Sequence, residues 1–268
     1  MTYRQPAFMI SNAFSAITDV ANQMKYNQSD PVSNSERRNM IDGRSGSVSS
    51  WTATSTGSGP RFDLGSVPPT ELNRLIIPSG HAGMEGKTLR VYQDTSFSYP
   101  SPTLVATSVI SGSEVIDLSL SSGDEQYWIW QIVDSVASDV YSVGGSWLGT
   151  YEQLSTASAV QPEFSNGWID QVLETEFPSG IASIELASPR RTFSLQVRDV
   201  DPASSDYALL DQVMQARGRS FWYWPPDTTD AGPYLVRLSK RSARRQEFSV
   251  PSIGLRYRMS FEFVEDNL

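Results

Sequence analysis

Between residues 60 and 150 the chain breaks into short apolar runs separated by turn residues. No helical periodicity intervenes, and this rhythm restricts the segment to a β-sandwich or barrel. Thr88–Tyr92, Thr103–Val109, Glu114–Leu118 and Tyr127–Val133 read as strands, the last apolar almost throughout. Leu75-Ile76-Ile77 is a continuous apolar run and reads as a strand buried on both faces. No internal repeat is present. Upstream, Ile10, Phe14, Ile17, Ala21 and Met24 recur at spacings near three and four, which favours an amphipathic helix over 8–26. A strand through Phe8-Met9-Ile10 is the competing reading. Residues 27–38 are polar and interrupted by Pro31, and read as loop.

The second half changes style. Gln153 to Pro162 is small and polar, as linkers are. This places one domain at 1–152, a linker at 153–164 and a second domain at 165–268. Ile181–Leu186 and Thr192–Val197 read as strands, joined by a hairpin-type connection at Ser188-Pro189-Arg190. One helix, over about 203–217, is well marked. Pro202 opens it, Ser204 or Ser205 caps it, Leu209, Leu210, Val213 and Met214 form its apolar stripe, and Gly218 stops it. Strands are expected at Ser220–Trp224, Tyr234–Ser239, Gln246–Val250 and Leu255–Val264. In the last, Leu255, Tyr257, Met259, Phe261 and Phe263 share one face. The fold class is therefore mainly β, with one flanking helix in the second half.

Bulk properties bound the function. At 268 residues the chain supports one large or two ordinary cores. A net charge of −9 disfavours nucleic acid and anionic membranes as partners. The absence of cysteine removes disulfides, thiolate catalysis and thiolate metal sites together. No run of about 18 apolar residues spans a bilayer, and Met1 to Pro6 lacks a signal-peptide pattern. The expectation is a soluble protein that is not exported by the usual route.

Residues 40–77 carry a resemblance. Met40-Ile41-Asp42-Gly43-Arg44 is followed by Trp51-Thr52-Ala53, Arg61-Phe62-Asp63-Leu64-Gly65-Ser66 and Asn73 to Ile77. This order resembles the discoidin family, also called F5/8 type C or galactose-binding-like β-jelly rolls, over roughly residues 8–150. The resemblance implies that Asp42-Gly43 closes a loop, that Trp51 plugs one end of the barrel, and that Asp63-Leu64-Gly65 ends a core strand. It also implies a calcium site near Asp42. Arg44 stands where many members place a second Asp and would repel the ion, so no metal and no cofactor are expected.

A second resemblance covers roughly 165–268. Paired strands, one helix, Gly218-Arg219-Ser220-Phe221-Trp222-Tyr223-Trp224-Pro225, a basic hairpin and a final strand ending Ser260 to Glu265 look like tail-tip and baseplate proteins of tailed bacteriophages, the distal tail proteins among them. The resemblance implies a virion structural protein assembled in the host bacterial cytoplasm. It packs as a ring, usually sixfold, with tube, tape-measure end and hub or receptor-binding proteins as neighbours. In that family an added carbohydrate-binding domain often follows the ring domain or interrupts it, whereas here the jelly roll is expected to come first. The alternative is a carbohydrate-binding adhesion module for host surface glycans.

Catalytic chemistry has little to build on. His81 is the only histidine and follows the Pro78-Ser79-Gly80 turn, so it reads as a loop residue. Paired carboxylates could run glycoside hydrolysis, which needs spacings of about 5–5.5 or 6.5–9.5 Å. Glu174 with Glu176, and Asp199 with Asp201, are the available pairs, and acidic pairs on solvated strands are common; no enzymatic activity is expected. Sugar stacking needs exposed rings, for which Trp147, Tyr141, Tyr99 and His81 are candidates by composition. Alternation along Phe221-Trp222-Tyr223-Trp224 buries two rings and exposes two, which implies a subunit interface or, more simply, a core role. Arg241, Arg244 and Arg245 lie on a basic hairpin in an acidic chain. They fit a charge-complementary contact with a neighbouring subunit, or a solvated tip.

Overall fold

The computed structural model describes residues 4–26, 33–41, 48–53, 56–68, 70–156, 159–160, 165–176, 182–226, 232–239, 243–250 and 253–266, with backbone alone at 34, 122, 159–160, 165–166, 168–176 and 182–189. The chain divides into two units, Ser11–Tyr151 and a second built from Met1–Ile10 together with Glu152–Asn267. The first strand, β1 (Ala7–Met9), belongs to the second unit. It pairs with Glu152–Gln153 on one side and with Phe221–Trp224 on the other. The expected division at 152, with residues 1–152 as one domain, is therefore corrected at its start. A three-residue strand pairs with partners more than 140 positions away, a relation that local periodicity does not carry.

The Ser11–Tyr151 unit holds β2 (Met24–Tyr26), β3 (Ser49–Thr52), β4 (Pro60–Asp63), β5 (Leu72–Ile77), β6 (Thr88–Asp94), β7 (Thr103–Val109), β8 (Ile116–Gly123), β9 (Tyr127–Ile132), β10 (Val140–Val143) and β11 (Trp147–Gly149). These form a five-stranded antiparallel sheet β2-β4-β9-β6-β7, a three-stranded sheet β11-β5-β8 and the pair β10-β3. One apolar core lies within, in which Phe62, Leu75, Ile77, Leu89, Trp128 and Trp130 are buried. The expected helix over 8–26 is replaced by shorter pieces: a 3-10 turn at Ala13–Ala16, α1 (Val20–Gln23) and β2. Of the expected loop at 27–38, residues 27–32 lie outside the described residues and 34–38 belong to α2 (Asn34–Ile41). Its start is a capping box, in which Ser33 Oγ accepts from Glu36 N at 3.3 Å while Ser33 N donates to Glu36 Oε2 at 2.9 Å.

Trp51 is 3 % exposed and packs among Tyr26, Trp130 and Tyr141, with ring centroids 5.5–5.7 Å away. Its Nε1 donates to Ser58 Oγ at 3.0 Å, so the one polar atom of a large buried side chain is satisfied. Asp63 Oδ1 accepts from Gly65 N at 2.8 Å and from Gln126 Nε2 at 2.7 Å, and Gly65 has φ +78°. This is an Asx turn whose third residue needs the left-handed conformation. Asp42, Gly43 and Arg44 lie outside the described residues.

In the other unit, β12 (Glu152–Gln153), β13 (Ala159–Val160), β14 (Ser165–Glu176), β15 (Ala182–Val200), β16 (Phe221–Trp224), β17 (Tyr234–Leu238), β18 (Arg244–Val250) and β19 (Gly254–Glu265) join β1. The sheet order is β12-β1-β16-β17-β19-β15-β13, with β14 on β15 and β18 on β19. Helix α3 (Ser205–Gln215), capped by Ser204 Oγ, lays Leu209, Leu210 and Val213 onto Phe193, Leu195, Val197, Met259, Phe261 and Phe263. Gly218, with φ +76°, follows it. The segment 153–164, expected as a linker, contributes Gln153 and Ala159–Val160 to this sheet.

Two expectations are corrected here. Ser188-Pro189-Arg190 is no hairpin but the interior of β15, whose partner is β14. The register slips between Ile169 and Gln171, leaving Ser188 and Pro189 out of the ladder, as proline's missing N–H requires. Phe221, Trp222, Tyr223 and Trp224 are all buried, at 2 % exposure or less, because β16 is a central strand between β1 and β17. The exposed pair of rings on which a subunit interface was expected is absent.

Candidate functional site

The expected sugar-stacking rings are not available on the surface. Tyr141, Trp147, Tyr99 and His81 are all buried. Tyr141 donates its hydroxyl to Asp139 Oδ2 at 3.0 Å, and burial, together with Asp139, pushes its pKa upward. His81 Nε2 lies 2.9 Å from the Glu114 carbonyl oxygen, which fixes the proton on Nε2, since a carbonyl only accepts.

A different set of rings reaches solvent, on the outer face of the five-stranded sheet. Alternation sends Met24, Tyr26, Phe62, Trp128 and Trp130 into the core. The residues between them, Lys25, Arg61, Tyr127 and Ile129, therefore face outward. The register places Lys25 opposite Arg61, Arg61 opposite Ile129, and Asp63 opposite Tyr127. Over this face folds the β6–β7 loop. Buried Asp94 shapes it: Oδ1 accepts from Ser96 N at 3.1 Å and Oδ2 from Ser101 N at 3.3 Å. Tyr99 sits in the left-handed region with φ +52°, its N bonded to Ser96 O at 3.0 Å. A non-glycine residue held there marks a loop whose shape is over-determined by its surroundings.

The loop brings half-buried Phe97 to Tyr127, with centroids 5.8 Å apart and planes inclined by 31°. Lys25 Nζ lies 5.2 Å from the Phe97 centroid, and the Arg61 guanidinium 5.1 Å from that of Tyr99. Burial lowers the pKa of Arg61 from its ordinary value, yet a guanidinium stays a cation at neutral pH. Burial likewise pushes the Tyr99 hydroxyl upward, so it remains a neutral donor, 3.5 Å from Phe62 O. The two carboxylates of the face, Asp63 and Asp94, are committed to loop backbone. What remains presented is an aromatic shelf flanked by two cations.

None of these four residues was singled out in the sequence as a binding residue, Arg61 standing only within the run that ends in Asp63-Leu64-Gly65. Phe97 and Tyr127 belong to no motif, and only knowledge of which strands are neighbours joins them to Lys25 and Arg61. Among the described residues no three His, Asp or Glu side chains converge on a metal-sized site. Asp201 stabilises the start of α3, accepting from Ala203 N at 2.9 Å, and pairs with Arg256 at 3.3 Å, while Asp199 stands exposed in a bulge. The side chains of Glu174 and Glu176 lie outside the described residues.

The basic hairpin is partly spoken for. Arg241 lies outside the described residues, and Arg244 is exposed. Arg245 folds back onto α3: Nη1 donates to Tyr207 Oη at 2.6 Å and lies 3.7 Å from Asp211, with Tyr257 at 5.4 Å. Arg245, expected with Arg241 and Arg244 to meet a neighbouring subunit or to form a solvated tip, has partners within its own chain.

No family model and no curated protein matches the chain. Among solved structures it is similar to chitosan-binding module 1 of a chitosanase/glucanase from Paenibacillus sp. IK-5, at 15 % identity and TM-score 0.40, over 52 % of this chain and 99 % of that one. It is similar to a CBM32 module of Clostridium perfringens in complex with GalNAc-β-1,3-galactose, at 10 % identity and TM-score 0.38, over 47 % and 95 %. It is also similar to CBM32-1 of a family 31 glycoside hydrolase from Clostridium perfringens, at 13 % identity and TM-score 0.38, over 48 % and 95 %. At these scores the likenesses stand as similarities alone.

Proposed function

We propose that the Ser11–Tyr151 unit is a carbohydrate-binding module that engages host surface glycans through the Lys25–Arg61–Phe97–Tyr127 face. The observation that carries this reading is the pre-set aromatic shelf. Phe97 and Tyr127 are fixed 5.8 Å apart by a loop pinned through Asp94, so little ordering remains for a ligand to impose. A sugar lays its C–H face on such rings, while Lys25 and Arg61 donate hydrogen bonds to its oxygens. The discoidin resemblance of residues 8–150 points the same way. Binding of the parent and of Phe97→Ala and Tyr127→Ala variants to a glycan array tests it. The parent should retain a defined set of glycans and each variant should lose roughly tenfold or more, since an aromatic contact in a binding site is worth over 1 kcal/mol. A parent that binds no glycan, or variants that bind as the parent does, would sink the reading.

A structural role in a tailed-phage tail tip or baseplate, with copies packed as a ring against tube and hub proteins, is the second reading. One observation favours it: β1 pairs with β16, so the Ser11–Tyr151 unit interrupts the other unit's sheet. That is one of the two placements in which such proteins carry an added binding domain. Light scattering on the purified chain is the test, with a discrete high-order ring expected and a monomer at all concentrations telling against it.

A further inference from the structure

We infer that Arg198, Arg258 and Arg244 form a second binding surface, on the face of β15, β19 and β18 turned away from the core, for the carboxylate or sulfate groups of an acidic polysaccharide. The inference is independent of the aromatic shelf and concerns the other unit. On β15, Phe193, Leu195 and Val197 enter the core, and Ser194, Gln196 and Arg198 take the opposite face. On β19, Met259, Phe261 and Phe263 enter the core, leaving Arg258 and Ser260 beside them. The register Gln246↔Arg258 and Arg244↔Ser260 adds Arg244 and Gln246 from β18 to the same face.

A bulge brings Arg198 to Arg258. Val197 pairs with Met259 and Val200 with Tyr257, so Arg198 and Asp199 together oppose Arg258, and Asp199 adopts φ +59° to permit it. Bulges of this kind re-aim a side chain. Neighbouring strands lie about 4.8 Å apart, so three guanidinium groups share one small area.

Their surroundings do not neutralise them. Among the described residues none of the three pairs with a carboxylate, whereas Arg256 on the same face pairs with Asp201 at 3.3 Å. The Nε atoms of Arg198 and Arg258 are buried without any acceptor. Asp199 stands in the bulge beside Arg198, and Glu262 lies on this face two residues beyond Ser260. Like charges on adjacent strands destabilise a sheet, and a local rule broken without an internal compensation marks a functional site. A planar fork of donors matches a carboxylate or sulfate.

The neighbours decide between partners. Ser194, Gln196, Ser260 and Gln246 donate and accept hydrogen bonds, as sugar hydroxyls require, and half-buried Phe248 shares their face opposite Arg256, a small apolar element beside a polar majority rather than the apolar centre of a protein interface.

Affinity electrophoresis of the full chain in gels containing polygalacturonate, dextran sulfate or neutral dextran tests this. Retardation by at least one charged polymer, weakening with salt and absent with dextran, is expected; which polymer acts identifies carboxylate or sulfate as the group read. Arg198→Gln with Arg258→Gln should weaken it by about a hundredfold, roughly tenfold per charge-assisted contact, with an unchanged or higher melting temperature. Exposed Arg244→Gln, which threatens no packing, should alone weaken it about tenfold. Phe97→Ala should leave it intact. Absence of retardation by either charged polymer, parent-like retardation of the arginine variants, or loss of it in Phe97→Ala would overturn the inference.

Discussion

Replacing Trp51 by alanine tests the core of the Ser11–Tyr151 unit directly. The indole is 3 % exposed and lies among three aromatic rings at 5.5–5.7 Å. Large aromatic truncations in such settings cost about 3–5 kcal/mol. The variant also leaves the buried Ser58 hydroxyl without its donor at 3.0 Å, adding about 1 kcal/mol. The sum, about 4–6 kcal/mol, corresponds to a fall of roughly 10–20 °C in the melting temperature of a unit this size. Trp51→Phe separates the two contributions: it keeps a ring in the site but loses Nε1, and should cost about 1–2 kcal/mol. Differential scanning calorimetry is the assay, because two units give transitions that can be followed separately. Loss should fall on one transition only. A Trp51→Ala protein melting within about 2 °C of the parent would refute the packing on which the unit's architecture rests.

Further outcomes follow from single contacts. Gly83→Ala should destabilise by more than about 2 kcal/mol in urea unfolding, since its φ is +78° and an added Cβ would come within 2.1 Å of the Val140 carbonyl oxygen. Arg245→Ala should cost roughly 1 kcal/mol through lost contact with Tyr207, Tyr257 and Asp211, whereas Arg244→Ala should lie within about 0.5 kcal/mol of the parent. Asp139 has its pKa lowered from 3.8, first by the Val136 N–H and then by Lys87. A lowered folded-state pKa gives stability that is present above 3.8 and lost as pH falls through the lower value. Asp139→Asn should therefore be less stable than the parent near neutral pH, with the difference closing on acidification below that range in a pH series of thermal melts.

Local patterns in the sequence carried much of the fold. The strands expected at Thr88–Tyr92, Thr103–Val109 and Tyr127–Val133, the helix with Ser204 as its cap, and the alternation of Met259, Phe261 and Phe263 are present, while the strand expected at Glu114–Leu118 lies further on, at Ile116–Gly123. What failed was non-local. A strand of three residues, Ala7–Met9, has too few positions to show a period, and its membership is decided by partners at 152 and 222–224. Alternation along Phe221–Trp224 gave two faces correctly, but whether both are covered depends on the strand's central place in the sheet. Pro189 read as a break, yet a bulge within β15 itself accommodates it. The candidate site was hidden for the same reason: Lys25, Arg61, Phe97 and Tyr127 come from three strands and a loop, and sheet order alone joins them.

The most direct measurement of the central claim is chemical-shift mapping on isotope-labelled protein titrated with the glycan that binds best in an array. The account predicts that the largest shifts cluster on the backbone and side chains of Lys25, Arg61, Phe97, Tyr99 and Tyr127, with the loop from Thr95 to Ser101 responding as one piece. Shifts concentrated elsewhere in the Ser11–Tyr151 unit, with this face silent at saturation, would contradict it.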